Sequence, residues 1–133
     1  SADFRQEFIK ELGLTPETKI LFYAGRISPE KNIELLIETM ENLSNAPETY
    51  HLVVAGGGPK ADWFKRECEK RISGSVTMLG HLTDKQKLAK LYSNADVFVH
   101  PNPREPFGIG PLEAMASGTG GSKLGRHPFI RNA

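Results

Sequence analysis

Cysteine is nearly absent from this chain. A single one, Cys68, stands among 133 residues, which excludes an intrachain disulfide and any cysteine-rich metal site; a buried spectator thiol is the expectation. Excess charge of either sign is also missing. Seventeen Lys and Arg against sixteen Asp and Glu give a formal net charge of +1, a balance that argues against generic nucleic-acid binding. No apolar run is long enough to span a bilayer, and there is no secretory signal, internal repeat or low-complexity tract. A soluble cytoplasmic domain is therefore the expectation. Metal-ligand spacing is absent as well. None of the four histidines, His51, His81, His100 and His127, has a partnering Asp or Ser in a recognisable motif.

What the chain does have is 38% hydrophobic residues, enough for one real core at this length. They are arranged in alternation. Phe4, Phe8, Ile9 and Leu12 fall at helical spacing, with Gly13 as a stop. Ile20–Ala24 has the composition of a buried strand. Ser28 and Pro29 fit an N-cap and first-turn pair for a helix starting near Lys31, with Ile33, Leu36, Ile37, Met40 and Leu43 on one face. A strand over Leu52–Ala55, a helix over 60–72 and a strand over Val76–Leu79 follow, with Trp63 and Phe64 packing. Thr83-x-x-Gln86 reads as a capping box for a helix carrying Leu88, Leu91, Tyr92 and Ala95, ahead of a strand over Asp96–His100. Short apolar strands alternating with amphipathic helices predict an α/β, Rossmann-like parallel sheet with helices on both faces. Ligands of such sheets bind beyond the carboxyl ends of the strands.

The most informative stretch follows the fourth strand: Pro101-Asn102-Pro103-Arg104-Glu105-Pro106-Phe107-Gly108, then a helical segment through Leu112 and Glu113 to Gly118. A helix opening behind a glycine presents free N–H groups and a positive dipole end to an anion. Glu105 and Glu113 bracket that site, and carboxylates accept hydrogen bonds from paired sugar hydroxyls. Together they suit a nucleoside diphosphate carrying a sugar.

The pattern E-P-F-G-x-x-x-L-E-A-M-A-x-G-T from Glu105 to Thr119 resembles the signature of the retaining GT-B glycosyltransferases of the group 1 (GT4) type. The resemblance implies that Glu105 contacts the donor sugar and Glu113 the ribose hydroxyls. The backbone through Phe107, Gly108, Ile109 and Leu112 would face the diphosphate and the sugar.

Gly25-Arg26 and Lys31, in the order A-G-R-x-x-x-x-K, lie after the first strand, where two fixed cations aimed at one crevice would stabilise charge on a leaving diphosphate without a metal. They match the family's Arg-then-Lys diphosphate pair. By the same resemblance Gly56 and Gly58, in Gly56-Gly57-Gly58-Pro59, line the donor pocket. Gly80-His81-Leu82-Thr83 would hold the nucleobase through backbone groups and an apolar side chain. The implied catalytic set is Arg26, Lys31 and Glu105, with no metal and no cofactor other than the nucleotide-sugar donor.

The resemblance covers residues 17–119. Enzymes of this type carry an N-terminal Rossmann domain that binds acceptor, which is expected as the missing partner, with peripheral attachment of the parent to the cytoplasmic membrane face. The organisation expected is a donor-binding domain over residues 1–119, incomplete after its fourth strand and following helix, and an atypical Gly- and basic-rich tail over 120–133. Where the family continues with a proline and a fifth strand, this tail shows no strand of the expected length. The fourth strand is then expected as an open sheet edge, suited to dimerisation. Three readings stand: the donor-binding half of a glycosyltransferase, a stand-alone or inactive nucleotide-sugar-binding module, and a sugar-nucleotide epimerase of related fold. The Arg26/Lys31 and Glu105/Glu113 spacing disfavours the last.

Overall fold

The computed structural model describes residues 2–101 and the backbone of 130–132. Its elements are α1 (Ala2–Glu11), β1 (Lys19–Ala24), α2 (Glu34–Leu43), β2 (Tyr50–Ala55), α3 (Ala61–Arg71), β3 (Val76–Gly80), α4 (Lys85–Asn94), β4 (Val97–Val99) and β5 (Ile130–Asn132). The sheet order is β3-β2-β1-β4-β5. β1 pairs in parallel with β2, Lys19 beside Tyr50 through Ala24 beside Ala55, and with β4 on its other side, Leu21 beside Val97. The chain walks outward from β1 to β3 and then crosses to β4, so the direction of winding reverses between β1 and β4.

Strand alternation sorts the core into two layers. Leu21, Tyr23, Leu52 and Val54 face α2 and α3, packing with Leu36, Ile37, Met40, Phe64 and Cys68. Ile20, Phe22 and Val53 face α1 and α4, packing with Phe8, Leu91 and Phe98. Both faces of β1 and β2 are thereby covered, which is why these strands read as continuous apolar runs. Arg71 of α3 stitches the first layer from outside, donating to Glu41 at 2.8 and 3.0 Å and to Glu34 at 3.2 Å.

The expected Rossmann-like architecture is present, with three local differences. The helix expected to begin near Lys31 is divided: Pro29–Lys31 forms a single 3-10 turn behind the extended Ser28. Asn32 then adopts a left-handed conformation (φ 54°), a geometry that Asn tolerates better than most residues. α2 starts only at Glu34. At the start of α4 the cap is Asp84, not Thr83; its carboxylate accepts from Gln86 and Lys87 main-chain N–H groups at 3.0 and 3.1 Å.

The third difference corrects the expected open edge. β4 does not end the sheet, because β5 pairs antiparallel to it, with Val97 beside Asn132 and Val99 beside Ile130. The ladder groups on that side of β4 are thereby used within the chain, removing the surface on which an edge-to-edge dimer through β4 was expected.

Candidate functional site

Three loops leave the carboxyl ends of β1, β2 and β3 and meet around one cavity of about 350 Å³. Its walls are Ala24, Gly25 and Arg26 after β1, Ala55, Gly56 and Gly57 after β2, His81 and Leu82 after β3, with Leu88 of α4 below.

The first two loops are joined through main chain. Gly25 N–H donates to Ala55 C=O (3.0 Å), Ile27 N–H to Gly57 C=O (2.9 Å), and Lys60 N–H to Ile27 C=O (3.0 Å). Gly56 N–H donates to Gly80 C=O at 2.7 Å, bringing in the third loop. Such close approach explains two glycines. Gly56 and Gly58 hold φ of 149° and 154°, and a Cβ on them would run into Gly25 C=O and Ile27 C=O respectively. Their need for glycine is met by loop packing alone. Gly57 differs: among the described residues a Cβ there would meet nothing within 4 Å, and the residue faces the cavity.

Of the residues singled out in the sequence, Gly25, Arg26, Gly56, His81 and Leu82 therefore come together. Gly58 sits beside them as a packing residue, and neither it nor Lys31 lines the cavity. Lys31 closes the 3-10 turn instead of opening a long helix, so the geometry expected to aim both cations from one helix start is absent. Gly57 and Leu88 were not anticipated. Leu88 was visible only as one of the apolar stripe of α4, and nothing in that stripe marks which member reaches beyond the core. Glu105, Phe107, Gly108, Ile109, Leu112 and Glu113 lie outside the described residues.

Arg26 is well exposed, and its Nε stands 4.0 Å from a Glu30 carboxylate oxygen. The Glu30 carboxyl lies below the usual carboxylate range, chiefly through a hydrogen bond from its own main-chain N–H, with the Arg26 and Lys31 charges adding to the effect. An exposed pair at that distance contributes little to stability and leaves the guanidinium available to an anion. Among the described residues no three His, Cys, Asp or Glu side chains converge as a metal site, and no helix is long and apolar enough to cross a membrane. The cavity thus offers exposed backbone, one cation and apolar walls from Leu82 and Leu88: features of a site for an anion attached to a flat apolar group.

Comparison with known proteins points the same way. The family described as glycosyl transferases group 1 matches residues 4–120. An uncharacterized glycosyltransferase of Methanocaldococcus jannaschii is 37% identical over 113 residues, covering 84% of this chain and 28% of the relative. A GDP-mannose-dependent alpha-(1-6)-phosphatidylinositol dimannoside mannosyltransferase of Mycobacterium tuberculosis is 32% identical over 112 residues, again covering 84% and 28%. The chain thus spans little more than a quarter of the length of these curated relatives. Among solved structures, the catalytic domain of the cholesterol-alpha-glucosyltransferase of Helicobacter pylori superposes with a TM-score of 0.62 at 26% identity, covering 77% of this chain and 60% of that one.

Proposed function

We propose, from the premise that this chain belongs to the glycosyl transferases group 1 family, that it forms the donor-binding half of a retaining glycosyltransferase. A protein built on it would move a sugar from a nucleoside diphosphate to an acceptor hydroxyl. The observation that carries this reading is the meeting of Gly25-Arg26, Gly56-Gly57 and His81-Leu82 around a single cavity at the carboxyl ends of three parallel strands.

In the proposed reaction the bond from the anomeric carbon to the diphosphate oxygen breaks, the acceptor hydroxyl oxygen bonds to that carbon, and its proton passes to the departing diphosphate. The departing diphosphate gains negative charge. Arg26 stabilises that charge as it develops, without a metal, and Lys31, on the adjoining turn outside the cavity wall, adds a more distant positive charge. The base lies against Leu82 and Leu88, bonded to backbone near His81. Glu113 receives the ribose hydroxyls and Glu105 the transferred sugar. The backbone of Phe107, Gly108, Ile109 and Leu112 follows the diphosphate, and the acceptor is supplied by a second domain. The M. tuberculosis relative, by name dependent on GDP-mannose, supports a nucleotide-sugar donor; base and sugar are left to the test.

The test is calorimetry of the chain against UDP, GDP and ADP and their nucleosides. Arg26→Ala should weaken the cognate diphosphate by about 1–3 kcal/mol, the scale of a charge-assisted hydrogen bond, and leave the nucleoside unchanged. Glu113→Gln should weaken the diphosphate itself, whereas Glu105→Gln should weaken only the sugar-bearing donor. Equal losses for nucleotide and nucleoside in Arg26→Ala would overturn the assignment of that cation.

A further inference from the structure

The structure assigns Tyr23 as a positioning residue for Arg26: its buried hydroxyl grips the peptide unit that carries the arginine into the cavity. This inference rests on the donor-site reading above, since it is Arg26's role there that gives the grip a functional consequence.

Tyr23 is the fifth residue of β1, only 4% exposed, with its ring in the layer facing α2 and α3. Its hydroxyl points up the strand and donates to the Arg26 carbonyl at 2.8 Å. The same peptide unit is held at its other end, where Ile27 N–H donates to Gly57 C=O at 2.9 Å. A peptide is planar, so bonding its carbonyl and its N–H to two separate partners fixes the plane against rotation. That plane begins at the Arg26 Cα, and its orientation sets the direction from which the guanidinium leaves the backbone.

Gly25 completes the device. A Cβ on Gly25 would lie 2.8 Å from the Tyr23 hydroxyl oxygen and 3.1 Å from the ring carbon that bears it. The chain passes directly over the ring because residue 25 has no side chain. The glycine that the sequence suggested as a ligand-facing residue thus has a second reason to be glycine, and that reason is the tyrosine. Arg26 itself is well exposed, and its recorded ionic neighbour among the described residues, Glu30, is 4.0 Å away. Among the described residues, packing on its own side chain does not aim it, so the orientation of its backbone governs where it reaches.

The experiment compares Tyr23→Phe, Arg26→Ala and the double variant in the full chain. UDP, GDP, uridine and guanosine are the probes, and main-chain hydrogen exchange is followed at Ile27, with Leu52 as a core control. Tyr23→Phe keeps the ring and removes one hydrogen bond. It should weaken the bound diphosphate roughly three- to tenfold, leave the nucleoside unchanged, and speed exchange at Ile27 but not at Leu52. In the Arg26→Ala background it should cost the diphosphate nothing further. Unchanged exchange at Ile27 overturns the grip whatever the ligands do. Equal loss of nucleotide and nucleoside, or a full additional loss in the double variant, overturns the link to Arg26. If Arg26→Ala leaves diphosphate binding intact, or neither nucleotide binds, the donor-site reading fails. The positioning role then fails with it, while Ile27 exchange still decides whether the grip exists.

Discussion

The two ends of the sheet are built on different plans. At the amino end, main-chain bonds such as Asp96 N–H to Ile20 C=O (2.9 Å) are reinforced by side chains. Arg5 of α1 reaches across to donate to Asn94 C=O (2.7 Å), Thr18 C=O (3.0 Å) and the Asp96 carboxylate (3.0 Å). Asp96 in turn accepts from Ile20 N–H at 2.7 Å. One ion pair therefore joins α1, the start of β1 and the link from α4 to β4. At the carboxyl end the loops are joined by main chain, through Gly25, Ile27 and Gly56, and Arg26 and His81 are turned outward. Backbone bonding between loops leaves their side chains uncommitted, and uncommitted side chains beside a cavity are what ligand handling requires.

The sharpest way to break the carboxyl end is Gly56→Ala. Its Cβ collides with main chain at Gly25, which cannot swing aside, and its φ disfavours any L side chain. The expected destabilisation is on the order of 2–4 kcal/mol, with loss of nucleotide binding, read by denaturant melts and calorimetry. At the amino end Asp96→Ala should cost about 1–3 kcal/mol, because Ile20 N–H loses its acceptor and the half-buried Arg5, still bonded to Asn94 and Thr18 C=O, loses its carboxylate partner. Nucleotide affinity of the folded fraction should not change; if it falls as it does for Gly56→Ala, the two ends are not independent.

A third expectation concerns pH. His51, buried on β2, has its imidazole Nε2 2.7 Å from Thr77 Oγ1, and burial pushes its pKa below the ordinary value. The unfolded chain then takes up this proton more readily than the folded one. Stability should be highest when His51 is neutral in both states. It should fall as pH drops through the unfolded value near 6.5, and level off below the folded one, with a slope of at most about 1.4 kcal/mol per pH unit. His51→Gln should flatten that window, leaving the lower, carboxylate-driven loss in place. A slope that persists in the variant would assign it to another group.

The smallest effect belongs to Gly57→Ala. Among the described residues nothing lies within 4 Å of its Cβ position, so melting should shift by less than about 0.5 kcal/mol. Any change in nucleotide affinity would then report on the cavity and not on folding.

Much of this was legible because the chain repeats one pattern: β1 and β2 are unbroken apolar runs, and the helices carry clear stripes. What escaped was set by geometry at a distance or at the scale of single residues. Arg5 looks like an ordinary polar position on an amphipathic helix, yet two of its three partners lie 89 and 91 residues away. β5 is three residues, Ile130-Arg131-Asn132, too short to show an alternation and poor in strand formers. Asn32 ends the turn at Lys31 through a backbone angle that no periodicity reveals. At the site, convergence of Gly25, Arg26, Gly56, His81 and Leu82 followed from their shared place after parallel strands. The sequence could not separate Gly56 and Gly58, whose lack of a Cβ is required by packing against other loops, from Gly57, where it is not; all three are simply glycine after a strand.

Cys68 has a practical consequence. It is the chain's sole thiol, 5% exposed on the buried face of α3, and burial raises its pKa to about 12. Burial thus disfavours the reactive thiolate in the folded chain relative to the unfolded one. A thiol reagent should therefore modify this protein faster through its openings than in its closed state. The rate at which colour develops from such a reagent becomes a clock for excursions of the α3 layer under native conditions, with no denaturant and no introduced label.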